Sequence, residues 1–213
     1  MVRLIAVFAL AGCTGTSEDS DASPPEAEVE SFTFTNTGDA AQEGHTPRGF
    51  QGQGSGMFVG DDLNAGFPAG DGVQMFVSID LEDFTDEVWE VQSAFLRSEN
   101  VELRGMPLED LGALTVEEMK FNDFSSDLWD KAPVTDGVSC TYATDADDAF
   151  GCDVTAAIQS AVDDGKKLAR FRFRLDVAGD SDGEQDMILF YVSDSNETEP
   201  GLFDLDVEAS PPT

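Results

Sequence analysis

The sequence predicts an all-β protein, a jelly-roll-like β-sandwich of about nine strands with one short helix. Three observations carry that prediction. Apolar residues alternate with period two over several separate runs, clusters of Gly, Asp, Asn and Pro punctuate those runs, and one stretch alone shows helical spacing.

The chain opens on a segment that is not part of the sandwich. Met1, Val2 and Arg3 precede an apolar run from Leu4 to Ala11, followed by Gly12 and Cys13. A positive start, a short apolar run and small residues before a cysteine describe a secretory signal over residues 1–12. A transmembrane helix would need about 20 apolar residues. Leu10, Ala11, Gly12 and Cys13 resemble the bacterial lipobox, in which the cysteine takes a diacylglyceryl group and the signal is cut just before it. Cys13 is therefore the expected lipidation site, the membrane the expected anchorage and the cell envelope the expected location. An ordinary signal that happens to end near a cysteine is the plainer alternative. Residues 13–28 are mostly Ser, Thr, Asp, Glu, Pro and Ala and bury nothing, so they read as an acidic tether.

The sandwich is expected over residues 29–209, with 210–213 as a tail. Its clearest strand points Val73, Met75, Val77, Ile79 and Leu81 one way and Gln74, Phe76, Ser78 and Asp80 the other. A second places Ala169, Phe171, Phe173, Leu175 and Val177 opposite Arg170, Arg172, Arg174 and Asp176. A third alternates Phe203, Leu205, Val207 and Ala209 with acidic residues. Less regular strands are expected at 29–35, 57–60, 88–97, 111–121, 134–142 and 187–193. The last is apolar on both faces and should lie inside a sheet covered on both sides. In 111–121 the apolar parity switches after Val116, which suggests a bulge. Val154, Ala157, Ile158, Ala161 and Val162 recur at helical spacing between a capping Asp153 and a terminating Gly165, predicting a helix over one end of the sandwich. Residues 36–56 hold six glycines and few apolar side chains, so composition favours disorder there.

Several short motifs follow one another in order: Met57-Phe58-Val59-Gly60, the strand ending Ile79-Asp80-Leu81, Val91-Gln92-Ser93-Ala94-Phe95-Leu96 and Leu111-Gly112-Ala113-Leu114-Thr115-Val116. Asp153-Val154-Thr155 then opens the helix, before the Arg170 to Leu175 strand and its acidic hairpin. Together, over residues 57–207, they resemble the DNRLRE-type domain of secreted bacterial proteins, a jelly roll related to carbohydrate-binding modules. The resemblance implies a non-catalytic, extracytoplasmic module.

Charge restricts the partners. The 44 acidic and 11 basic residues give a formal net charge of −33, which repels nucleic acid and anionic headgroups. The excess is spread along the chain, as expected of a halophilic surface that carboxylates keep hydrated.

Cys140 and Cys152 remain after Cys13, and in an exported chain they are most simply a disulfide. A catalytic triad would hang on His45, the one histidine, and no nucleophile elbow, P-loop or H-E-x-x-H is present, so no catalytic residue is assigned. Asp180, Asp182 and Asp186, alternating around Gly183, resemble part of a calcium loop, with an acidic β-turn between two strands the plainer reading. Asn196-Glu197-Thr198 is a glycosylation sequon by pattern and reads as a turn. Trp89, Trp129 and Phe124 are aromatic candidates for stacking on a sugar, with core packing the plainer use of Trp89. Arg170, Arg172 and Arg174 form a basic stripe that either pairs with neighbouring carboxylates or grips an anionic polymer.

The expected role is binding or adhesion, to a glycan or a cell-surface protein. A purely structural envelope lipoprotein is the second reading, and a polysaccharide hydrolase, which needs only two carboxylates, the third.

Overall fold

The period-two runs fold into two facing antiparallel sheets. A computed structural model describes residues 28–47, 55–61, 72–99, 101–143, 149–180, 182–191 and 198–212. These carry β1 (Glu30–Thr35), β2 (Gly44–Pro47), β3 (Phe58–Asp61), β4 (Gly72–Asp80), β5 (Glu90–Ser98), β6 (Val101–Arg104) and β7 (Leu114–Glu118). They continue with β8 (Val138–Ser139), β9 (Thr141–Ala143), β10 (Ala149–Asp153), β11 (Leu168–Leu175), β12 (Asp186–Phe190) and β13 (Asp204–Ser210). The helices are α1 (Pro107–Asp110), a single turn, and α2 (Thr155–Asp163), with 3-10 turns at Glu82–Asp86 and Ser126–Leu128. The protein is thus all-β, with one helix of more than a single turn among the described residues.

One sheet has the order β1-β13-β5-β10-β9. The other runs β6-β12-β3-β4-β11-β7-β8, with β2 paired to β4 off that path. Among the described residues thirteen strand segments replace the nine expected, because β2, β6 and β10 form outside the expected runs and one run is divided. Residues 134–142 split at Cys140, where the chain leaves β8 in one sheet and enters β9 in the other.

The alternation decides what faces inward. Leu205 and Val207 from β13 and Ala94 and Leu96 from β5 meet Met75, Val77 and Ile79 from β4 and Phe171 and Phe173 from β11 in one buried cluster. Phe203 ties the sheets together, its ring 5.2 Å from that of Phe173 and 5.1 Å from that of Phe190. Helix α2 adds Ile158, Ala161 and Val162 to the same core. Asp153 accepts the Thr155 backbone N–H at 3.0 Å before the helix, and Gly165, at φ +61°, turns the chain out of it. Gly165 ends the helix as the sequence predicts, whereas Asp153 stands one residue before the N-cap, Val154, and bonds the first helical residue instead of capping.

Three expectations need correction. Strand β4 is buried on both faces, because residues 119–131 cross its outer side and pack Met119, Phe121, Phe124 and Leu128 around Phe76. The same packing explains the parity switch after Val116. Pairing of β7 with β11 runs without a shift from Leu114 to Glu118, so there is no bulge; Met119 and Phe121 are apolar because the outer face is covered there. A register shift does occur in β5 opposite Glu208 and Ala209, where Gln92 and Ser93 are both exposed between buried Val91 and Ala94.

The third correction concerns residues 36–47, which are ordered by polar contacts rather than apolar ones. Asn36 Oδ1 accepts the backbone N–H groups of Gly201, Leu202 and Phe203, while its amide donates to Glu43 Oε2 at 2.8 Å. Glu43, 0% exposed, accepts from the Thr37 backbone and hydroxyl on its other oxygen, each at 2.8 Å. Burial pushes its carboxyl above the ordinary glutamate range, against the pull of the hydrogen bonds from Asn36, Thr37 and Ser78.

Candidate functional site

Strand β11 carries the basic stripe on the outer face of its sheet, with β7 alongside. Arg172 and Glu117 are direct cross-strand partners, 6% and 5% exposed. Arg172 Nε donates to Glu117 Oε2 at 2.6 Å and Nη2 pairs with the same oxygen. Its Nη1 donates to the backbone oxygens of Trp129 and Lys131 at 3.1 and 2.9 Å. Arg174 Nε takes the second oxygen of Glu117 at 2.9 Å. Arg170 lies 5.0 Å over the Phe121 ring and donates to Gln42 Oε1 and Asn122 O, and burial lowers its pKa.

Arg170 and Arg172 are therefore committed to holding residues 119–131 onto the sheet, which removes them as ligand-gripping groups. Arg174 is different. Its side chain is partly exposed, and its two terminal amino groups have no hydrogen-bond partner among the described residues.

Arg174 lines a cavity of ≈ 80 Å³ together with Trp129, Gln74, Val73, Gly60 and Asp176. Such a space holds roughly two or three waters, room for one polar substituent of a sugar rather than a whole ring. Gln74 Oε1 is buried without a hydrogen-bond partner. The Arg172 contact to Trp129 O fixes the segment that presents the indole, which stays partly exposed. Two residues singled out from the sequence thus meet at one opening, and Gln74 joins them without any local signal of its own.

Asp180, Asp182 and Asp186 also converge, with a carboxylate oxygen from each within 4.8 Å of the others. Asp61, which no motif singled out, sits opposite Asp186 across the β3–β12 ladder.

Other candidates have structural places. Cys140 and Cys152 are bonded at 2.08 Å, tying the β8–β9 junction to β10. Phe124 is buried against Phe76 on the outer face, and Trp89 stacks on Phe84 in the main core, so neither is a sugar platform. His45 Nδ1 is 2.7 Å from Gly56 O and its ring lies 4.2 Å from that of Phe58, a packing role. Cys13, the signal, Asn196 and Glu197 lie outside the described residues.

No family model matches the chain, and no curated protein matches it in sequence. Among the described residues no helix is long and apolar enough to cross a membrane, and the disulfide is compatible with a location outside the cytoplasm.

Proposed function

We propose that this protein is a non-catalytic, lipid-anchored module of the cell envelope that binds glycans at the cavity between Trp129 and Arg174. The convergence of those side chains with the unpartnered Gln74 Oε1 on one opening carries the reading. An indole offers a face for a pyranose, a guanidinium recognises a carboxylate, and a side-chain amide orients a hydroxyl. Sugars bearing a uronic acid suit this set best. The short motifs that resemble DNRLRE-type domains point the same way, and the lipobox-like start supplies the anchor.

A glycan array probed with the full chain tests this. Binding to uronate-bearing glycans should fall with Trp129→Ala and with Arg174→Gln. An array on which the wild type binds nothing would leave a structural envelope lipoprotein without a ligand, and release of reducing ends from a bound glycan would establish a hydrolase.

A further inference from the structure

We infer that Asp61, Asp180, Asp182 and Asp186 form a binding site for one divalent cation of calcium size, linking β3 to the β11–β12 connection. The three carboxylates of the connection bring their oxygens within 4.8 Å of one another. Oxygens across a calcium ion, each at about 2.3–2.6 Å, are up to about 5 Å apart, while magnesium draws its shell closer to about 2.1 Å per ligand.

Proximity of acids on so acidic a surface would mean little by itself. The independent observation is two buried oxygens with nothing to bind. Asp61 and Asp186 are 1% and 2% exposed, and Asp61 Oδ1 and Asp186 Oδ2 have no hydrogen-bond partner. The two residues face each other on neighbouring strands, so their side chains rise from the same side of the sheet. Asp186 Oδ1 is occupied by the Met106 backbone N–H at 2.5 Å. One oxygen of Asp186 is thereby oriented and the other left over.

Among the described residues no basic side chain pairs with Asp61, Asp180, Asp182 or Asp186. Asp110, at the end of α1, adds a further negative charge facing the same cluster. A buried carboxylate left unpaired in this way is unfavourable, and a cation is the group that relieves it. The backbone is also shaped to the cluster: at Gly105, φ +69°, a Cβ would lie 2.2 Å from Asp186 Oδ1. Carboxylate-only ligands select a hard cation over zinc or copper. This inference does not rest on glycan binding, since none of the four aspartates lines the Trp129–Arg174 cavity.

The full chain, stripped of metal with EDTA, should bind calcium chloride with a stoichiometry of one by titration calorimetry. The titration is run in high sodium chloride, so that diffuse attraction to the acidic surface is screened. Melting temperature should rise with calcium by mass action. Asp61→Asn and Asp182→Asn should each weaken binding by about tenfold or more, a loss of the size seen when a metal shell is perturbed. Asp182 is exposed, so its variant folds even where the buried one does not. The exposed Asp127→Asn should change nothing. Absence of both heat and a melting shift at millimolar calcium, or equal binding by wild type and the Asp182 variant, would overturn the site. Tighter binding of magnesium than calcium would overturn the assignment of the ion.

Discussion

Arg172 and Glu117 stand directly opposite each other on β11 and β7, buried together on the outer face of the eight-stranded sheet. Glu117 also holds Arg174, so one carboxylate answers two guanidinium groups. The Arg172 Nη1 contacts to Trp129 O and Lys131 O make this pair the fastening for residues 119–131.

Removing one member of a buried pair leaves the other charge uncompensated, which costs about 3–5 kcal/mol. Arg172→Gln should therefore lower unfolding stability by about 3 kcal/mol in urea titrations. Glu117→Gln should also destabilise, because Arg172 and Arg174 are left facing each other. The double variant should lose less than the sum of the two, and strict additivity would show that the pair is not coupled.

Glu43 makes stability depend on pH in a definite direction. Its folded-state pKa is raised by burial, so the folded chain holds a proton over a range where the unfolded chain has released it. The Glu43 contribution is thus most favourable in acid and is lost as pH rises from the ordinary glutamate value through the raised one. Glu43→Gln abolishes this titration while setting an amide against the Asn36 amide, and should cost about 1–3 kcal/mol. The deficit of the variant should be largest near about pH 4 and shrink toward about pH 7, read from paired denaturation curves. A deficit that grows with pH would contradict the burial argument.

The Cys140–Cys152 bond closes a loop with a sequence separation of 12. In the chain-entropy model a loop of that size contributes about 3 kcal/mol. Reduction, or Cys140→Ser with Cys152→Ser, should lower stability by about that amount. Both thiols of the native protein should resist alkylation until reductant is added.

The imbalance of 44 acidic against 11 basic residues should make the melting temperature climb with sodium chloride. Screening shortens the reach of repulsion to about 3 Å at 1 M salt, and this outweighs the loss of the few exposed ion pairs such as Arg104 with Glu102. A melting temperature that falls with salt would show that the carboxylates are locally compensated.

The N-terminus offers a further check, by mass spectrometry of the mature protein. Cys13 should be its first residue and carry the mass of acyl chains, and Cys13→Ser should remain unmodified and leave the membrane fraction. Cleavage elsewhere would remove the anchor.

What the sequence by itself determined is what local geometry controls. A strand sends neighbouring side chains to opposite faces, so Phe171, Phe173 and Leu175 had to share a side whatever lay against them. The turn of α2 is similarly local, from Asp153 before it to Gly165 after it. With Cys13 expected to be lipidated, Cys140 and Cys152 were left as a single pair. Only the tertiary structure decided which faces were covered, because that depends on segments far away along the chain. Phe76 looked like an outward residue until residues 119–131 were laid across it, and Asn36 and Glu43 looked like a polar loop until residues 199–203 closed on them. Asp61 gave no sign of its relation to Asp186, since nothing local records which strand will pair with which. Polar residues acquire their meaning from partners, and the partners of Glu117, Asp61 and Gln74 were all chosen by the packing of sheets.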